Sequence, residues 1–253
     1  MNDIPIDVFI DLPPSPEPVQ AGRLWSHFRK GRESASFEYN REWLANPYRF
    51  ALEPLLPLAD GTFHTTPGQS VFGAIGDSTP DRWGRILMRR AELARARAAN
   101  ESPRTLSELD YLLRVNDEAR QGALRFSQDG GQSFCAPPGA TPIPPLVNLS
   151  RLLHAADHFC RDDENAEDLR LLLAPGSSLG GARPKASVKD KKGNLCIAKF
   201  PRHDDEYNVV AWEAVALTLA SKAGLQVPRF ELEKITDKDV LIVWRFDRTR
   251  EQR

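Results

Sequence analysis

Alternation of apolar and polar positions is the first pattern along the chain. IDVFI (6–10), GRLWSHF (22–28) and SASFEY (34–39) each place every second side chain on one face, the period of a half-buried strand. Pro-rich and Gly-Arg connections separate them, so a small antiparallel meander is predicted. Asn46-Pro47, the Leu-Pro steps near residue 56 and Asp60-Gly61 then predict an irregular passage. From Asp81 to about Asn100 the period becomes helical, and the run stops before Pro103. A second helix is predicted over 106–115 (LSELDYLLRV), with Ser107 or Thr105 as its N-cap, and a strand over 122–127 (GALRFS). Five prolines among the eleven residues of CAPPGATPIPP (135–145) predict a stiff, extended connector. Beyond it the pattern gives a helix at 149–160, a loop with three glycines at 176–181, and a hairpin centred on Lys192-Gly193-Asn194. A helix at 206–222 and strands at about 229–234 and 239–246 complete the chain. The expected fold class is α+β in two parts, residues 1–134 and 148–253, joined by the connector at 135–147.

Composition narrows the function classes. The 253 residues are 41% hydrophobic and 27% charged, enough apolar material for a core. No apolar run approaches ~18 residues, so no membrane span is expected. The N-terminus is acidic where a secretory signal is basic. Cys135, Cys160 and Cys196 are too few and too widely spaced for a disulfide framework. A soluble cytoplasmic protein is the expectation. With 34 basic and 35 acidic residues, the net charge of −1 supplies no global attraction to nucleic acid. Charge is uneven locally: seven arginines lie between Arg82 and Arg104, and RDDENAEDLR (161–170) leans acidic. Each run reads as a solvated helix face or as a docking surface, and the arginines lack interleaved aromatics apart from Trp83.

Candidate chemistry concentrates in PGSSLGGARPKASVKDKKGNLCIAKF (175–200). Gly176, Gly180 and Gly181 let the backbone approach a ligand, and amides of such a loop can cradle phosphate oxygens; a flexible turn is the plainer reading. The spacing to Lys185 excludes a Walker A loop, and the strand-like continuation excludes a dinucleotide fingerprint. In LCIAKF, alternation puts Leu195, Ile197 and Lys199 on one face, so the Lys199 amine either meets an anion or reaches out to water. A glycine turn, a hairpin and a lysine on the returning strand is how protein kinases set an amine against the α- and β-phosphates. Glu213 interrupts an apolar stripe formed by Val209, Val210, Ala216, Leu217 and Ala220, which makes it the expected partner of Lys199. Glu206 is the competing acid, but with Asp204 and Asp205 it reads as an acidic first turn. Gly224 is expected just past the end of that helix. VLIVWRFDR (240–248) reads as a buried strand, with Trp244 and Phe246 either leading into a hinge against an adenine or simply ending it. His154 and His158, four apart on a helix, with Cys160 or Asp157, form no recognised metal set. No G-x-S-x-G nucleophile elbow occurs.

The sequence resembles the HipA family, serine/threonine-kinase toxins of bacterial HipBA toxin–antitoxin modules. The likeness runs through SSLGGARPKA (177–186), CIAKF (196–200), AGLQVP (223–228) and VWRFDR (243–248), in family order. It extends to FEYNREWLANPYRFALEPLLPL (37–58), DSTPDRWGR (77–85) and QGALRF (121–126). The resemblance implies a small N-terminal subdomain followed by a protein-kinase-like N-lobe, an antiparallel sheet plus one αC-like helix. It implies ATP binding by Ser177, Ser178, Leu179, Gly180, Gly181, Ala182, Lys185 and Lys199, with a hinge at Trp244, Arg245 and Phe246. Glu213 falls on the family's lysine-positioning glutamate, and Ser178, with Ser177 beside it, on its phosphorylated serine. The implied cofactors are ATP and Mg2+, and the implied substrate is a serine or threonine of an aminoacyl-tRNA synthetase. The implied partner is a HipB-like DNA-binding antitoxin, with DNA reached only through it. HipA-like chains continue into a helical C-lobe bearing the catalytic and metal-binding aspartates, whereas this sequence stops at Arg253. Weak nucleotide binding, no turnover and self-association are expected of a chain without that lobe. A non-catalytic, antitoxin-like binding module of a split Hip system is the alternative.

Overall fold

The computed structural model describes residues 5–12, 15–136, 142–176 and 180–248. The chain divides into two units, Met1–Thr79 with Thr105–Pro138, and Pro80–Arg104 with Gly139–Arg253. The linear division differs from this in one segment. Residues 80–104 belong to the second unit, because the apolar stripe of their helix places Trp83 and Leu87 in that unit's core.

The first unit is built on β1 (Ile6–Ile10), β2 (Val19–Arg29), β3 (Arg32–Tyr39), β4 (Thr62–His64) and β5 (Leu124–Ser127). These form an antiparallel sheet in the order β4-β3-β2-β1-β5, so the meander read from alternation is present and gains a strand on each side. A short helix, α1 (Arg41–Ala45), stands just before the passage expected to be irregular, which itself contains β4 and the short helix α2 (Gly73–Gly76). Segments this short carry too few residues for a period to register. Tyr39 fixes part of that passage: its hydroxyl donates to Leu56 O at 2.7 Å and accepts from Leu52 N at 3.0 Å. Phe37, Trp43, Leu56, Phe72 and Phe126 fill the core.

Gly22 lies opposite Tyr39 in the β2–β3 pair. A Cβ there would stand 2.2 Å from Glu38 O and 2.5 Å from the Phe37 ring, closer than any contact backbone can tolerate. Gly22→Ala is therefore expected to cost about 2 kcal/mol through overpacking. A thermal melt unchanged by that substitution would contradict it.

The second unit contains α3 (Arg82–Ala98), α5 (Leu149–Cys160), α6 (Ala166–Gly176), β6 (Lys185–Lys189), β7 (Leu195–Lys199), α7 (Val209–Lys222), β8 (Phe230–Ile235) and β9 (Lys238–Trp244). The remaining helix, α4 (Glu108–Leu113), lies in the first unit; Ser107 caps it through a reciprocal pair of bonds with Asp110. The second sheet is antiparallel, ordered β6-β7-β9-β8. Ala186, Val188, Cys196, Ala198, Val240 and Ile242 share one core with residues of α3, α5 and α6. Leu241 and Val243 pack against Val210 and Ala214 of α7 in another. Alternation along β7 and β9 thus serves two layers, as expected of a sheet covered on both faces. The fold is mixed α/β with antiparallel sheets.

The acidic run at 161–170 reads as a solvated helix face, and α6 begins within it. Leu169 and Leu172 are nevertheless buried. The two charged runs prove to be partners: Arg90 of α3 bonds Glu164 at 2.7 Å and also reaches Asp162. Arg95 pairs with the buried Glu92 at 2.9 Å and with Glu101 at 2.8 Å. Three of the seven arginines, Arg90, Arg95 and Arg104, are therefore used in internal ion pairs. The end of the connector pairs with β6: Pro144 O accepts from Lys189 N at 2.9 Å, and Pro145 bridges Lys189 in parallel. This covers the outer edge of β6, an edge that would otherwise be open to pairing. The three cysteines are free thiols. Among the described residues, no helix is long and apolar enough to cross a membrane.

Candidate anion-binding site

The β6–β7 hairpin brings two lysines together. Lys185 and Lys199 are direct cross-strand partners. Like charges so placed repel, and each ammonium has an electronegative neighbour. Lys199 forms an ion pair with Glu213 of α7, the pairing expected from the interrupted apolar stripe. Lys185 donates to Gly180 O at 2.5 Å and is only 8% exposed. Burial, with Lys199 alongside, pushes the Lys185 amine down to about 8, while Asp81 and Glu213 pull it the other way. Glu206 precedes α7, whose N-cap is Asn208, with its side-chain oxygen accepting from Ala211 N at 2.9 Å. The helix ends with Gly224 at φ +84°, its N–H donating to Ser221 O while Leu225 N reaches Ala220 O. That is the paired closure a glycine at this position permits.

The glycine turn lies against Lys185. Gly181 has φ +84°, and a Cβ there would come 3.2 Å from Lys185 Nζ. Its N–H donates to Asp81 Oδ2 at 2.7 Å, and its carbonyl accepts from Trp83 N at 3.1 Å. The Trp83 indole N–H donates to Lys185 O at 2.9 Å. Nothing local in the sequence marks Asp81, and Trp83 stands out only as a lone aromatic, because their partners lie about a hundred positions away. Ala182 is exposed in the same turn. Ser177, Ser178 and Leu179 lie outside the described residues.

The proposed hinge residues lie further along the sheet. Leu241 is opposite Lys199 and Trp244 opposite Cys196, so Trp244 is three positions, or roughly 10 Å, along the strand pair. Its indole N–H donates to Asp190 Oδ2 at 3.0 Å, and the Arg229 guanidinium sits 3.9 Å from its ring centroid. The Arg245 side chain is buried and bonded to Asp247, and Phe246 is 87% exposed. His158 Nδ1 lies 3.0 Å from Asp168 Oδ2, while Asp157 bonds Lys238 and Arg161. Among the described residues, no cluster of three or more His, Cys, Asp or Glu side chains is placed to hold a metal ion.

The family model of the HipA-like C-terminal domain matches residues 177–253, the segment that contains both lysines and Glu213. Among solved structures, the fold is similar to a chain of the Shewanella oneidensis MR-1 toxin–antitoxin complex of HipA, HipB and operator DNA. That match has a TM-score of 0.52 at 18% identity and covers 97% of this chain and 51% of the other. The chain thus spans about half the length of the structure it matches. No curated protein matches it. The chain is thus similar to HipA in two respects: residues 177–253 match the HipA-like C-terminal domain model, and the fold resembles that of a HipA-complex chain along nearly its whole length.

Proposed function

We propose that the second unit binds the phosphates of ATP and forms the nucleotide-holding part of a HipA-like serine/threonine kinase toxin. The observation that carries this reading is the apposition of Lys185 and Lys199, one of them desolvated, beneath a glycine turn. Two cations held face to face at a cost are stabilised when an anion joins them. The order of parts also fits a kinase N-lobe: a glycine turn entering β6, a lysine on β7, then a glutamate on the following helix. In this reading Lys199 and Lys185 contact phosphate oxygens, Glu213 orients Lys199, and Gly180, Gly181 and Ala182 bring backbone close to the phosphates. Trp244, Arg245 and Phe246 form the adenine side, and Ser178 or Ser177 accepts phosphate. ATP, when bound, supplies the transferable phosphoryl group. The protein substrate is a serine or threonine of an aminoacyl-tRNA synthetase. The partner is a HipB-like DNA-binding antitoxin, a reading supported by the HipA–HipB–operator neighbour.

Calorimetric titration of the full chain with ATP, ADP and adenosine tests this. Affinity is expected to rise with the number of phosphates. It is also expected to fall as pH passes about 8, where Lys185 loses its proton in the free protein. The sign follows from linkage: the ammonium form binds the anion, so the contribution of Lys185 is constant below that pH. Above it, affinity falls with a slope of up to about one decade per pH unit, close to tenfold by about pH 9. Equal binding of adenosine and ATP, or a flat profile across that range, would sink the reading.

A further inference from the structure

Asp81 occupies the N-cap position of α3 yet makes no side-chain hydrogen bond to its own helix. An aspartate there ordinarily accepts from the second or third amide of the first turn. Its Oδ2 accepts instead from Gly181 N at 2.7 Å. From the same turn of helix, Trp83 N donates to Gly181 O at 3.1 Å and Trp83 Nε1 to Lys185 O at 2.9 Å. Three hydrogen bonds from the start of α3 therefore grip the segment from Gly181 to Lys185. The Asp81 bond is exposed to water and adds little to the stability of the fold, so its effect lies in the geometry it imposes. A second hold on the turn, Lys185 Nζ to Gly180 O, is lost if an incoming anion takes over that ammonium. The grip from α3 does not depend on the ammonium and survives the exchange.

We propose that Asp81 is a positioning residue. Its carboxylate fixes the Gly181 amide and, with Trp83, keeps the glycine turn against Lys185 so that an anion meets a preformed cradle. The inference rests on the phosphate-binding reading above for its function, but the positioning itself can be measured without any ligand.

Asp81→Asn keeps an acceptor oxygen and removes the charge, whereas Asp81→Ala removes both. In the unliganded full chain, hydrogen exchange at the Gly181 amide is expected to be on the order of tenfold faster in D81A than in wild type, with D81N close to wild type. ATP affinity is expected to fall by about tenfold in D81A and to be largely restored in D81N. Should D81A melt early, Asp81→Glu, which retains the charge but displaces the oxygen by one methylene, is expected to show the same faster exchange. Unchanged exchange in D81A overturns the proposal. So does tighter ATP binding in both D81A and D81N, which would make Asp81 a competitor of the ligand. If the wild-type chain binds no ATP, the phosphate reading falls, and the exchange measurement alone decides whether Asp81 positions the turn.

Discussion

Replacing Lys199 with methionine is expected to lower ATP affinity by on the order of a hundredfold while leaving the melting temperature almost unchanged. Methionine preserves most of the aliphatic stem, so packing on β7 survives. The ion pair it removes is partly open to water, with Lys199 29% and Glu213 39% exposed, and pairs of that kind contribute at most about 1 kcal/mol to stability. The effect on ligand is much larger for two reasons: the phosphate loses a cation, and the Glu213 carboxylate is left without its counter-charge beside the same site. Glu213→Gln keeps the ammonium and is expected to lose far less. The measurement is calorimetric titration of each full-length variant beside a thermal melt. K199M binding ATP like the wild type would remove Lys199 from the site.

Arg120→Ala is expected to destabilise the first unit by about 4 kcal/mol. Arg120 is 0% exposed. Its guanidinium donates to Ser78 O at 2.9 Å, Leu112 O at 3.0 Å and Val115 O at 3.1 Å, and lies 4.8 Å from the centroid of the Phe126 ring. Ser78 lies just before the chain leaves the first unit, and Leu112 and Val115 lie after it returns. One side chain therefore ties together the two ends of that excursion. Alanine strands the carbonyls and opens a cavity beside Phe126. Lysine retains charge but lacks the planar fork that serves three acceptors at once, so Arg120→Lys is expected to recover only part of the loss. Urea denaturation reads the difference, and a midpoint for R120A equal to that of the wild type would refute the account.

What could be read from sequence was whatever depends on near neighbours. Alternation located β1, β3 and β5, helical spacing located α5, and the hairpin residues located the turn between β6 and β7. The Lys199–Glu213 pair was legible because an acid in an apolar stripe demands a partner, and a strand lysine fourteen positions earlier supplied one. Asp81 and Arg120 carried no such signal. An aspartate before a helix reads as a cap, and an arginine beside a strand reads as surface; only the fold shows the first turned toward Gly181 and the second enclosed. Helix α6 is hidden by its acidic start, whose partners, Arg151 and His158, lie on α5. The association of α3 with the second core was illegible for the same reason, since nothing local marks which sheet a helix will cover.

That association means that neither unit can be excised as one uninterrupted stretch of gene. A fragment beginning in the proline-rich segment would retain the lysines and Glu213. It would have a gap where Trp83 and Leu87 belong, and no carboxylate to grip its glycine turn. Any recombination that exchanged one unit for a relative's would have to carry residues 80–104 with the second, or break the loop it meant to transplant.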